Sequence, residues 1–156
     1  MLEPDYQHNL LVHYLKDADA VEFIELLGGI SQVWDDVVDD DGGDALTRRE
    51  LHGAFNDALL RVPRNRFYLA FLDDLAPALS FAACNWKVAN GLETAGGSEN
   101  IALAYGLRSA ITQLAVYCGA LLHGHEYAEV EGWAFYAAAM ADDNFAAYRR
   151  EHGSGE

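Results

Sequence analysis

Residues 18–40, ADAVEFIELLGGISQVWDDVVDD, read as one amphipathic helix, and that reading sets the fold class of the chain. At 100° per residue, Ile24, Leu27, Val33, Trp34 and Val37 share one side. Glu25, Gly28 or Gly29, Gln32, Asp36 and Asp39 recur at intervals of three and four on the other, with Asp35 beside them. Few runs elsewhere alternate apolar and polar residues at period two, so the pattern predicts an all-α, single-domain helical bundle of about six to seven helices over residues 1–156.

Working outward, the periodicity predicts a first helix over Tyr6 to Lys16 and a long second one from Ala18 to Asp40. A third begins after Thr47, where Thr47-Arg-Arg-Glu50 forms a capping box, and runs to Val62. Pro63-Arg-Asn65 breaks it, and a short helix covers Arg66 to Leu72. Asp73 and Asp74 are expected to cap the next helix, with Pro77 in its first turn and Glu93 near its end. After a Thr94 to Ser98 loop, one apolar helix is expected to reach Leu122. His123-Gly-His125 makes a turn, a last helix or pair covers Tyr127 to Arg150, and residues 152–156 form a frayed tail.

With 156 residues, 51% of them hydrophobic, the chain suits one domain with a real core. A net charge of −15 argues against nucleic-acid and anionic-membrane partners, which are held through Lys and Arg. Asn100 to Leu122 contains one charged residue, Arg108, yet its Asn, Ser, Thr and Gln content and the lack of flanking basic anchors fit a central bundle helix rather than a bilayer span. Cys84 and Cys118 lie in apolar segments without paired spacing, as buried reduced thiols do. With no secretory pattern at Met1 to Tyr6, a cytoplasmic location is expected.

The acids concentrate at one helix end. Six aspartates fall between Asp35 and Asp44, and the stretch from Asp17 to Thr47 holds ten acids and no Lys, Arg or His. Carboxylates there meet the negative pole of the helix as well as one another, so a cation from elsewhere is expected. A divalent metal is the first candidate, and magnesium suits it best: carboxylates three or four residues apart stand roughly 5 to 6 Å from one another at Cβ. The bland alternative is a solvated acidic face.

A second polar stripe, Asn85, Ala89 and Glu93, lies on the helix after Pro77. Asp35-Asp36-Val37-Val38-Asp39 resembles the DDxxD motif of isoprenoid (terpene) synthases, and Asn85 to Glu93 is similar to that family's second metal-binding motif. The resemblance implies two stripes facing across a helical bundle and gripping a substrate diphosphate through magnesium, with Asp35, Asp39, Asn85 and Glu93 as ligands. Ala89 stands where the family has a hydroxyl ligand, Trp86 replaces a common Asp, and the chain is about half the usual length.

Glu22-Phe-Ile-Glu25 followed by Asp36-Val-Val-Asp39 also resembles the paired carboxylates of MazG-type all-α nucleotide pyrophosphatases, though here only Gly28-Gly29 separates the pairs. Asp39 to Glu50 resembles an EF-hand loop, but Gly43 and Asp44 fall where an oxygen ligand and a glycine belong, so calcium ranks below magnesium. In length, acidity and helical pattern the chain is similar to short helical proteins of tailed phages, which implies no activity.

Arg108 is the residue expected to reach the acidic site, because an arginine alone in an apolar helix needs a carboxylate or an anion. It is either an anion contact or a structural ion pair with Asp36, Asp73 or Asp74. Arg61, Arg64 and Arg66 cluster at the Pro63 turn, Lys87 is expected in solvent, and His123 and His125 are read as turn residues. Trp34, Phe67, Tyr68, Phe71, Phe81, Trp86, Tyr105 and Tyr117 recur at helical spacing, as core aromatics do.

These readings lead to magnesium-dependent chemistry on a phosphorylated, diphosphate-type small molecule. Asp35, Asp36, Asp39, Asn85 and Glu93 are the metal ligands, Glu93 doubles as a general base and Arg108 is the anion contact. The alternative is a non-catalytic helical module that docks a partner. A homodimer is open as well, since a chain this short can complete a pocket across two copies.

Overall fold

A computed structural model describes residues 5–38, 48–141 and 144–153. Thr47 and Asp39, and with them the capping box and the last member of the DDxxD stripe, lie outside the described residues. Among the described residues the chain is an all-α bundle of nine α-helices: α1 (Asp5–Leu15), α2 (Ala18–Val38), α3 (Arg48–Asn56), α4 (Arg66–Ala70), α5 (Leu72–Ala95), α6 (Ser98–Arg108), α7 (Ala110–His123), α8 (His125–Ala139) and α9 (Phe145–His152). The excess over six or seven comes from breaks that the periodicity did not mark.

The largest correction is the helix expected from Ser98 to Leu122. It breaks at Ser109 into α6 and α7, which bend by 42°. The hydroxyl of Ser109 donates to the Gly106 carbonyl at 2.8 Å, and the Gln113 amide donates to the same carbonyl at 2.8 Å. Side chains thus satisfy a carbonyl that the bend takes out of the helical ladder. No single helix among the described residues is long and apolar enough to cross a membrane.

Helix α5 starts earlier than expected, at Leu72, with Asp73 and Asp74 inside its first turn rather than capping it. Carboxylates there face the positive end of the helix dipole. Pro77 is the sixth residue of the helix and removes one amide bond close to the terminus, where the loss is tolerated. At the other end Gly96 and Gly97 take φ values of 69° and 89°, a region open to glycine, and turn the chain into α6. Between α3 and α4, a π-helical turn over Asp57–Arg61 and a 3-10 turn over Val62–Arg64 replace the expected straight run to Val62. Buried Asn65 then caps α4: its Oδ1 accepts from the Tyr68 amide at 2.9 Å while its Nδ2 donates to the Asp19 carbonyl at 2.8 Å.

Two hydrophobic clusters hold these helices. The larger gathers Tyr14, Leu15, Phe23, Ile24, Leu27, Phe67, Leu75, Leu114, Cys118 and Phe135 from α1, α2, α4, α5, α7 and α8. The smaller consists of Ala89, Ile101, Ala104 and Tyr148, so α5, α6 and α9 form a satellite of their own. Phe23 stacks on Tyr68 at 5.3 Å and Phe67 packs on Phe71 at 5.0 Å, as the aromatic spacing implied. Two expected core aromatics are outside: Phe81 is 67% and Trp34 56% exposed. Cys118 is buried, whereas Cys84 is exposed, and both are free thiols. Burial pushes the Cys118 thiol up to about 12, so it stays protonated and inert.

Tyr14 is the anchor of the larger cluster. Its ring stacks on Phe135 at 4.5 Å and Tyr127 at 5.5 Å, and its hydroxyl donates to the Val116 carbonyl at 3.1 Å. Gly119 of α7 makes room for it, since a Cβ at that position would overlap the Tyr14 ring. Gly119→Ala should therefore destabilise the protein by about 1–3 kcal/mol, the usual cost of overpacking. Urea denaturation measures it, and an unchanged midpoint would show that the ring has room to shift.

Candidate functional site

Arg108 is the last residue of α6, and the bend at Ser109 aims its side chain between the two clusters. Its guanidinium grips Glu93 of α5 side-on, Nε donating to Oε1 at 2.8 Å and Nη2 to Oε2 at 2.5 Å. Nη1 donates to Asp35 Oδ1 of α2 at 2.7 Å. The guanidinium also lies over the Trp86 ring, 5.1 Å from its centroid. One carboxylate from each stripe, Asp35 and Glu93, meets here, and the cation between them is an arginine from the chain itself.

Burial explains the strength of this arrangement. Side-chain exposure is 15% for Arg108 and 11% for Glu93, so both charges depend on each other; Asp35, at 36%, is partly screened by water. Burial alone would raise the Glu93 carboxyl and lower Arg108. The mutual hydrogen bonds and charges outweigh it, holding Glu93 below its ordinary 4.5 and Arg108 further above its ordinary value. The Tyr148 hydroxyl of α9 donates a further hydrogen bond to Glu93 Oε1, and burial together with that carboxylate raises the tyrosine.

The other expected ligands are not drawn in. Asp36 is exposed and accepts from Gln32 Nε2 at 3.3 Å. Asn85 borders a separate depression with Phe81, Gln113 and Tyr117. The reason is geometric: each four-residue step of a helix turns 400°, so the eight residues from Asn85 to Glu93 drift by about 80°. Among the described residues no three His, Cys, Asp or Glu side chains form a group able to hold a metal ion. Asp35 and Glu93 already share a guanidinium, so the described part of the implied magnesium set does not fit a dication as it stands.

Arg108 reaches the acidic stripe, where the carboxylates it pairs with are Asp35 and Glu93 rather than the alternatives Asp36, Asp73 or Asp74, and no signal in the sequence marks Tyr148 as their neighbour. Other basic residues have local duties: Arg61 bridges Glu22 at 3.0 Å and Asp57 at 3.2 Å, and Arg66 lies 3.3 Å from Asp19. His123 Nε2 lies 2.7 Å from the Leu15 carbonyl, tying the end of α7 to α1.

Asp35, Arg108 and Tyr148 stand in the wall of a cleft of about 520 Å³. Leu27, Ile30 and Trp34 of α2, Trp86 of α5, Ile111 of α7 and Met140 supply much of its apolar surface, with Lys87, Glu151 and His152 also lining it. Trp34 and Trp86 meet edge to face at 6.2 Å. This volume is in the range of small-molecule sites, which pair an apolar lining with a few placed polar groups. Comparison of the chain with known protein families, curated proteins and solved structures finds no match.

Glu93→Gln should cost about 3 kcal/mol at pH 7, because it leaves the Arg108 charge poorly compensated. A carboxyl whose folded value lies below 4.5 stabilises the fold above that pH and loses the contribution as pH falls through its folded value. The gap between the two proteins should therefore narrow between pH 7 and pH 3. Denaturant midpoints at both pH values measure it, and a gap of constant size would contradict the assignment.

Proposed function

We propose that the protein binds a small molecule in the cleft between its two hydrophobic clusters, an apolar body lying on the aromatic wall and a polar head reaching the Arg108 and Asp35 pair. The observation that carries this reading is the Arg108–Asp35 ion pair, gripped by Glu93, standing in the wall of a cleft with a substantial apolar and aromatic lining. Its specific form is the phosphorylated, diphosphate-type ligand that the motif resemblance implies. A phosphate would be met by Arg108 and by Lys87 at the cleft lining. Magnesium at Asp35 and Asp36 requires Asp35 to leave the guanidinium, so metal dependence is an outcome to measure.

A non-catalytic docking module is the second reading, and α3 favours it. That helix is strongly amphipathic yet has no buried residue, and Leu51, Phe55 and Leu59, at intervals of four along α3 and the turn after it, are 43%, 65% and 56% exposed.

Thermal melts separate the two. Geranyl diphosphate, inorganic pyrophosphate and geraniol serve as probes, each with and without millimolar magnesium. A ligand at a hundred times its Kd stabilises by about 2.7 kcal/mol, a rise of roughly 5–10 °C for a domain of this size. The expected result is a rise with geranyl diphosphate that is lost in Trp34→Ala. Dependence of the rise on magnesium and on Asp35 would establish the metal-bridged form. An equal response to geraniol would show that the head group is not read, and no response to any probe would leave the docking module.

A further inference from the structure

Helix α5 has 24 residues, of which only Leu75 and Ala89 are buried. On the side away from them, Pro77, Phe81, Cys84, Val88, Gly91 and Ala95 follow one another at intervals of four, three, four, three and four, and all six are exposed. Alternating steps of four and three are the repeat by which one helix seams against another. Phe81 at 67% and Val88 at 54% exposure are large side chains on this line, so the seam is more than a row of small residues.

Two further observations indicate what covers it. First, charge: in a chain of net charge −15, no Asp or Glu lies between Asp74 and Glu93, and Glu93 itself turns inward to Arg108. Copies of this protein repel each other over most of their surfaces, but not along this seam. Second, shape: in an antiparallel pairing about a two-fold axis at position 86, Phe81 of one copy falls opposite Gly91 of the other, Cys84 opposite Val88, and Pro77 opposite Ala95. Each large residue meets a smaller one, and a site beside Gly91 is open, with no atom within 4 Å of a Cβ built there.

We propose that the protein is a homodimer in which the outer face of α5 pairs antiparallel with α5 of a second copy. The surface is self-complementary, as a two-fold interface must be. The cleft lies on the other flank of the helix, so this inference is independent of the ligand reading.

Light scattering of the full-length protein after gel filtration should give about 34 kDa, twice 17.1 kDa. The double variant Phe81→Glu/Val88→Glu should run at the monomer mass with an unchanged helical circular-dichroism spectrum, because both positions are exposed. A short bismaleimide should join two wild-type chains through Cys84, Cys118 being buried, and Cys84→Ala should abolish the joined species. A monomer mass at all concentrations overturns the proposal, as does a dimer that persists in the double variant. Failure of Cys84 to cross-link in a wild-type dimer overturns it as well, and this readout does not depend on how the variants fold.

Discussion

A guanidinium held between two carboxylates from different helices is the constraint on which the rest of this structure depends. The larger hydrophobic cluster and the α5–α6–α9 satellite are separate apolar bodies, and the bond from Arg108 to Asp35 ties the satellite to α2. A charge of this kind at 15% exposure is tolerated only when its partners are fixed. Glu93 supplies a bidentate grip that sets the plane of the guanidinium, and Trp86 covers one face of it. The bend at Ser109 follows from the same requirement: α6 must end where Arg108 can point between the clusters, while α7 must continue into the main core with Leu114, Ala115 and Cys118.

The all-α class and the course of α1 and α2 were legible because their apolar residues return at helical spacing and α2 is set apart by Lys16 and Asp17. Arg108 could also be singled out, as a lone charge in an apolar segment of 23 residues. Its partners could not, since pairing depends on how α2, α5 and α6 cross, and periodicity carries no information on crossing. The break at Ser109 left no trace either: neither Gly nor Pro stands there, and the carbonyl it frees is satisfied by Gln113 from the following helix. Asn85 was misplaced by treating four-residue spacing as an exact repeat, an approximation that fails over two steps. Phe81 and Trp34 read as core because aromatic residues at helical spacing usually are, and spacing alone does not tell an inner face from an outer one.

The cleft and the α5 seam both follow from this division into two bodies. Where the satellite meets the main bundle the packing is incomplete, and the gap is lined by side chains from both. Trp34, at the outer end of α2, lies over it beside Trp86 rather than inside either cluster. Helix α5 runs past both bodies and packs on them with one side, which leaves the opposite side to solvent.

The modest size of the satellite has a kinetic side. Only four buried residues close it, one of them Tyr148 of the eight-residue helix α9, which also donates to Glu93. So few apolar contacts make this the portion whose amides exchange with solvent through partial opening, ahead of global unfolding. Opening there parts the Tyr148 hydroxyl from Glu93 and lifts the portion of the cleft wall that Tyr148, Glu151 and His152 line.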